Sequence, residues 1–422
     1  MAEAQPHGGR RGGVAGVRRL GAVGAAVTVS SVLVNLLAYL VPMVGARTLP
    51  AAELGALATA LAVGAIAGVP GLGLQLAVAV HRAKHGVTST TRVALRTAGA
   101  AGGVLVLAAP VLVKALRLPV ALVLALAALT VAVVLAGRWL GELQGDQRFV
   151  RLAAGMALLA VVRYGGVIAG LLLGAGLVGS VVVGVLVGCL ALPVLARLAA
   201  GQDRVPEPSG AAAGSRMTAR QVGAASSATL AMLVISYADL LLARQLLPAA
   251  ESGAYAVGGV LTKGALWAPQ VVTVLALPRL ARGDRRTRTV ALALVAACGM
   301  VLVTAAAVAG GLAFRLAGGP DYADLARYAP FFAATGALYA LAFVLVNAQI
   351  AAGARRPAGP LWVGVVGLTA GAVLVAPHTI AGVLGCALLT AAATVALLFW
   401  LTVRPGARRA PAPLPAPQPS TR

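Results

Sequence analysis

Three charged residues lie well inside long apolar stretches of the sequence, at least seven residues from either end. Arg163 is in LLAVVRYGGVIAG, Lys263 is in GGVLTKGALWAP, and Asp239 is in VISYADLLLARQ. A charge at the centre of a bilayer costs roughly 2.5–3.5 kcal/mol on insertion scales. Each cation lies about a dozen residues from the nearer end of its stretch, or ~18 Å at helical rise, which is beyond the reach of a snorkelling side chain. We therefore expect Arg163 and Lys263 to face the interior of a helix bundle.

The chemistry that suits two interior cations is the binding of an anion such as a diphosphate. Arginine can hold a phosphate group through two hydrogen bonds, and lysine acts as a point charge. Two other interpretations stay open: Arg163 could donate to backbone carbonyls, and Lys263 could pair with Asp239 across a depth difference of ~9 Å. For Asp239 the sequence thus allows a cation- or proton-coupling role or an ion pair.

The composition places these residues in a membrane protein. The chain is 60% hydrophobic and only 11% charged, so its long apolar segments cannot be solvated. A spanning helix needs ~20 mostly apolar residues, and twelve stretches qualify: 20–45, 54–80, 97–113, 118–138, 150–175, 177–197, 221–246, 253–279, 290–312, 328–352, 359–377 and 379–402. The sequence predicts an all-α integral membrane protein with twelve transmembrane helices.

The positive charge predicts the orientation. With the N-terminus inside, 26 of the 34 Lys and Arg residues fall in inside segments and six in outside segments. Basic residues favour cytoplasmic loops. We expect a multi-pass protein of the bacterial cytoplasmic membrane with both termini cytoplasmic. Membrane topology accounts for the net charge of +23, and no nucleic-acid partner is predicted.

An internal repeat divides the chain into two halves. LPAAELGA (49–56) returns as LPAAESGA (247–254), and each copy precedes a helix with an internal proline, Pro70 and Pro269. Six helices in each half predict two lobes related by a pseudo-two-fold axis along the membrane normal. The expected organisation is a basic cytoplasmic N-tail 1–19, an N-lobe 20–200, a cytoplasmic linker 201–218, a C-lobe 219–403 and a Pro-rich cytoplasmic tail 404–422.

The repeated loops have a structural explanation. Glu53 and Glu251 would lie near the positive N-terminal ends of the following helices, and Gly55 and Gly253 would permit close packing. A gating role for the two glutamates is the alternative.

Segments 35–75, 141–149 (GELQGDQRF) and 237–282 resemble the polysaccharide-biosynthesis (oligosaccharide-lipid) flippase family of the multidrug/oligosaccharidyl-lipid/polysaccharide exporter superfamily. The resemblance implies two six-helix lobes, a central cavity that opens alternately to either side, and lipid-linked sugars as cargo. In cation-coupled members of the superfamily a lobe carboxylate binds the coupling ion, usually in the first half. The predicted spans of this first half contain no acid.

The predicted function is therefore an alternating-access flippase for a polyprenyl-diphosphate-linked oligosaccharide or a related anionic glycolipid, with Arg163 and Lys263 as substrate-binding residues. A cation-coupled drug or metabolite exporter is the main alternative. A membrane polysaccharide polymerase is another, since 313–327 could form an external loop with Asp321 and Asp324. The sequence has no P-loop, zinc-protease or nucleophile-elbow motif. We predict no enzymatic activity, cofactor or metal.

Overall fold

The computed structural model describes residues 11–86, 89–200, 219–267, 285–351 and 356–403, and these residues contain helices and no strand. The helices are α1 Arg11–Thr48, α2 Ala51–Ala67, α3 Val69–His85, α4 Thr91–Leu107, α5 Ala109–Leu116, α6 Val120–Gly145, α7 Phe149–Leu172, α8 Gly176–Ala199, α9 Ala219–Leu246, α10 Ala249–Trp267, α11 Arg285–Gly318, α12 Ala329–Ala351, α13 Gly359–Ala370 and α14 Ile380–Val403. A 3₁₀ segment, Pro320–Tyr328, precedes α12, and a π turn, Gly371–Val375, extends α13.

Each of the twelve predicted stretches contains at least one of these helices, so the predicted fold class is confirmed. Helices α2 and α3 together form one span, Ala51–Ala83, which is broken at Gly68. Helices α4 and α5 form another span with a bend of 47°. Pro70 lies in the first turn of α3, where proline is tolerated because that N–H has no intrahelical partner. Pro269 lies outside the described residues.

The spans pack as two lobes. Helices α1–α8 form the N-lobe, in which α6 contacts α3, α4 and α8 while α7 packs between α1 and α8. Helices α9–α14 form the C-lobe, in which α12 contacts α10, α11 and α14. The lobes meet where α2 lies against α9 and α10, and where α3 lies against α9. The linker 201–218, the tail 404–422 and residues 1–10 lie outside the described residues, whereas residues 11–19 of the predicted N-tail belong to α1.

A ladder of glycines joins α6 to α3 inside the N-lobe. Gly137, Gly141 and Gly145 recur every four residues and thus share one face of α6. A Cβ atom added at these glycines would lie 2.4, 2.5 and 2.9 Å from the carbonyl oxygens of Gly71, Gln75 and Ala79, respectively. The two backbones are therefore in direct contact, which only glycine permits at these positions.

The small-residue segments 170–174 and 184–188 are predicted to form a packing seam between the fifth and sixth spans, and the prediction holds for part of them. Gly170 packs on Ser180, and Gly184 packs on Val167. Gly174, with φ +72°, follows the end of α7 instead.

Two predicted boundaries are wrong. The segment 313–327, expected as an external loop, forms the end of α11, which is kinked at Ala309, and most of the 3₁₀ segment. Helix α6 continues to Gly145, seven residues beyond the predicted end of its span, and so includes Glu142. Glu142 is buried, and it accepts hydrogen bonds from Arg138 Nε (2.9 Å) and the Thr90 hydroxyl (3.3 Å).

Candidate functional site

Arg163 lies on α7, nine residues before the helix ends at Leu172. This corresponds to a depth of about 14 Å at helical rise, somewhat less than predicted. Its guanidinium stacks on the adjacent Tyr164 ring, with Cζ 4.9 Å from the ring centroid. The side chain is half-buried, and among the described residues it has no hydrogen-bond acceptor or ion-pair partner. Within the described residues, Arg163 therefore donates to no backbone carbonyl, in contrast to the alternative considered from the sequence.

Lys263 lies on α10, and its ammonium group contacts two residues of α9. Its Nζ donates a hydrogen bond to the backbone carbonyl of Ser236 and lies 3.4 Å from the centroid of the Tyr237 ring. The Tyr39 hydroxyl of α1 donates to the backbone carbonyl of Lys263 at 2.7 Å, which connects the two lobes. This bond agrees with the general expectation that polar residues within spans join helices.

Both predicted cations interact with Tyr237 at the boundary between the lobes. Tyr237 contacts Lys263 directly, and it interacts electrostatically with Arg163 and Tyr164. We name these four residues and Tyr39 the interlobe cluster. The N-lobe supplies Tyr39, Arg163 and Tyr164, while the C-lobe supplies Tyr237 and Lys263. An anion bound between the two cations would therefore contact both lobes.

Two glycines lie beside the cluster. Gly259 lies one helical turn before Lys263 on the same face of α10, and no heavy atom of the described residues lies within 4 Å of the position that a Cβ would take there. On the N-lobe side, a Cβ at Gly64 would lie 3.9 Å from Arg163 Nη2. A small residue therefore lies beside each of the two cationic groups.

Asp239 lies on α9 with 3% of its surface exposed. It accepts a hydrogen bond from the Tyr255 hydroxyl of α10 at 3.0 Å. Within the described residues no cation lies within 4 Å of it, although it interacts electrostatically with Lys263. The nearby Tyr339 hydroxyl also interacts with this carboxylate and is buried without a hydrogen-bond partner among the described residues. The direct Lys263–Asp239 pair considered from the sequence is therefore not formed.

The internal repeat shows that this carboxylate belongs to one lobe only. Subtracting the repeat offset of 198 from Asp239 and Tyr255 gives Val41 and Leu57. Both N-lobe residues have 0% exposure and lie in one hydrophobic core. The same position is thus apolar in the first lobe and carries a hydrogen-bonded carboxylate in the second.

The two copies of the repeated octapeptide meet at one end of the bundle, which we call the repeat end. Glu53 and Glu251 lie in the first turns of α2 and α10, as predicted. Gly55 and Gly253 face each other, since a Cβ at Gly55 would lie 3.1 Å from the backbone nitrogen of Gly253. Close packing at these glycines is therefore confirmed, and it closes this end of the bundle.

Sequence reasoning identified both cations but missed Tyr164 and Tyr237. The only signals were that Tyr164 follows Arg163 directly and that Tyr237 precedes Asp239 by two residues. The chain has seven tyrosines in 422 residues, and the interlobe cluster contains three of them.

No model of a known protein family matches the chain, and no curated protein matches it. Solved structures do share its fold. An inward-facing multidrug resistance MATE family transporter of the MOP superfamily matches with a TM-score of 0.63 and 14% identity, over 87% of this chain and 94% of that one. The lipid II flippase MurJ, in an inward closed conformation, matches with a TM-score of 0.60 and 10% identity, over 89% and 87%. A MOP superfamily transporter from Pyrococcus furiosus matches with a TM-score of 0.54 and 14% identity, over 92% and 95%. The chain therefore has the fold of these transporters, with twelve helices in two lobes.

Proposed function

We propose that this protein is an alternating-access transporter that moves a polyprenyl-diphosphate-linked oligosaccharide, or a related anionic glycolipid, across the cytoplasmic membrane. The observation that carries the proposal is that Tyr237 contacts Lys263 of its own lobe and interacts electrostatically with Arg163 of the other lobe. A fold shared with a lipid II flippase and with multidrug transporters supports the general activity.

The charges of the site favour an anionic cargo. Arg163 has no acceptor within the described residues, so its guanidinium can bind a phosphate without first giving up another hydrogen bond. Lys263 can add a second positive charge if it leaves the Ser236 carbonyl. A diphosphate carries several acceptor oxygens and can use both groups. The tyrosines of the cluster offer flat apolar faces and hydroxyl groups, which suit a sugar.

The division of the site between the lobes provides a mechanism. A cargo that contacts both cations binds best while the lobes are together, and it loses one of the two contacts when they separate around it. Only such a difference in affinity lets a ligand shift a conformational equilibrium. Binding energy at the cluster can therefore favour passage through a closed state in which the diphosphate is shielded from lipid.

Asp239 is our candidate for coupling transport to a proton or a cation. It is a buried carboxylate in a span, and such residues mark ion pathways by default. Its electrostatic interaction with Lys263 connects it to the cargo site. Uptake of a positive charge at Asp239 would weaken its attraction for Lys263 and so favour release of Lys263 toward an anionic cargo.

A cation-coupled drug exporter is the second candidate, favoured by the aromatic rings of the cluster, which can bind organic cations, and by the fold shared with multidrug transporters. The positive charges of Arg163 and Lys263 at the same rings would repel an organic cation, which opposes this second function. The positive-inside rule places most basic residues in the cytoplasm, so the repeat end would face the outside of the cell for either cargo.

The deciding experiment is transport in proteoliposomes that contain the purified full-length chain. We expect it to move a fluorescent undecaprenyl-diphosphate-linked sugar between leaflets, and we expect the double variant Arg163→Ala/Lys263→Ala to be inactive. The matched control is Arg96→Ala, which removes an exposed arginine of α4. Movement of a cationic dye but not of the glycolipid would establish the exporter instead.

A further inference from the structure

We infer that Arg244 is the latch that holds the repeat end closed, so that it controls which side of the membrane the interlobe cluster can reach. This inference rests on the proposed alternating-access function. It names a gating residue that contacts no cargo.

The guanidinium of Arg244 bonds to the opposite lobe through three backbone carbonyls. Its Nε donates to Leu116 at 3.0 Å, one Nη donates to Ala52 at 3.1 Å, and the other Nη donates to Arg117 at 3.3 Å. A fourth bond, to the Ser252 hydroxyl at 3.1 Å, stays within the C-lobe. Separation of the lobes would break three of the four bonds and leave only the last.

The charge of Arg244 depends on these bonds. The side chain is buried, with 6% of its surface exposed, and among the described residues it has no carboxylate within ion-pair distance. A buried charge is stable only when its donors are satisfied. Leu116 and Arg117 supply the last carbonyls of the short helix α5 and thus its negative dipole end. The closed interface therefore provides the hydrogen-bond acceptors that satisfy this cation, against the repulsion of the nearby Arg117 side chain.

The repeat itself supplies a comparison. Arg47 is the arginine upstream of the first octapeptide, but it precedes Pro50 by three residues, whereas Arg244 precedes Pro248 by four. Arg47 is exposed. A difference of one residue rotates the side chain by about 100° around the helix, so only the second copy of the arginine points into the interface. Glu53 and Glu251, considered for gating from the sequence, make no ion pair with Arg244.

The backbones of the two repeats are in direct contact at the repeat end. A change in the packing of one repeat therefore displaces the other. Leu54 of the N-lobe has 1% exposure and lies in a hydrophobic cluster that is otherwise formed largely by the C-lobe. A Cβ at Gly253 would lie 1.9 Å from the carbonyl oxygen of Ala51. The substitution Gly253→Ala must therefore push the lobes apart at the repeat end without touching Arg244.

The test is a distance measurement between spin labels at Leu173 and Val375, in the full chain with its three cysteines replaced by alanine. Both positions are exposed, at 82% and 83%, and they lie at the repeat end of the N-lobe and the C-lobe, respectively. We expect Arg244→Gln to raise the ratio of long-distance to short-distance populations by about tenfold or more, because three charge-assisted hydrogen bonds are lost. Arg47→Gln is the matched control, and its distances should equal those of the parent chain.

Two further variants keep the test decisive. Gly253→Ala should produce the same long distances, and Arg244→Lys, which keeps the charge but lacks the guanidinium fork, should give an intermediate shift. Parental distances in Arg244→Gln, or in Arg244→Lys if the first variant does not fold, would overturn the inference, as would an equal shift in Arg47→Gln. The measurement needs no cargo. A latch that opens as expected in a protein that moves no glycolipid would contradict the proposed cargo and not the latch.

Discussion

Replacing Arg163 with alanine should weaken the binding of a lipid diphosphate far more than the binding of the corresponding lipid alcohol. The guanidinium has no acceptor among the described residues and stacks only on Tyr164. It therefore gives up little when it binds a phosphate. A hydrogen bond to a charged group contributes ~1.5–3 kcal/mol, so a loss of about ten- to 150-fold in affinity is expected.

The assay is a titration of the purified chain, in lipid nanodiscs, with undecaprenyl diphosphate and with undecaprenol. The alcohol has the same tail and no charge, so it measures the contribution of the tail alone. Arg163→Lys should lose less affinity, about tenfold, because it keeps the charge but cannot form two parallel hydrogen bonds. Equal weakening for diphosphate and alcohol, or no weakening for either, would show that Arg163 does not bind the phosphates.

Three further results are expected. Lys263→Met should weaken diphosphate binding in the same titration by less than Arg163→Ala does, because Lys263 must first leave a backbone carbonyl; a larger loss would reverse the assigned roles. Asp239→Asn should keep diphosphate binding but abolish the dependence of transport on an imposed proton or sodium gradient, and retained dependence would exclude Asp239 as the coupling group. Gly141→Ala should lower the unfolding temperature through overpacking of ~1–3 kcal/mol, since its Cβ would lie 2.5 Å from the carbonyl oxygen of Gln75. Gly103→Ala, with no heavy atom within 4 Å, should have little effect.

Much of the fold could be predicted because a bilayer imposes simple rules. Apolar length placed each of the twelve predicted stretches on at least one helix, and eight of the described helical spans, or nine with the bent pair α4 and α5, are long and apolar enough to cross a membrane. The copied octapeptide correctly indicated that Gly55 and Gly253 are packing residues. The end of α11 was missed because hydropathy falls at Arg315 while the helix continues to Gly318. Helical hydrogen bonding needs no apolar side chains, so hydropathy marks the apolar part of a helix and not its ends.

The candidate site could be predicted only as separate charges. The cost of an isolated charge in lipid pointed to Arg163 and Lys263, but it could not show which residue lies between them. Tyr237 has that position because α9 and α10 pack together in the C-lobe while α2 brings the N-lobe against both helices. Arg244 lies two residues before the end of its predicted stretch, 221–246, and is one of the six basic residues assigned to the outside by the predicted topology. Three of its four hydrogen-bond partners are backbone carbonyls. Every residue carries a carbonyl, so the sequence does not show which ones are acceptors.

The break at Gly68 has a mechanical consequence for the second span. Below it, α3 is fixed to α6 by backbone contacts, while above it α2 carries the first octapeptide to the C-lobe. Helix α2 has 17 residues, which makes it a lever about 25 Å long. A swing of only about 10° at the glycine would carry its tip roughly 4 Å, further than a hydrogen bond can stretch. A small tilt of α2 at Gly68 would therefore break the hydrogen bond between Ala52 and Arg244.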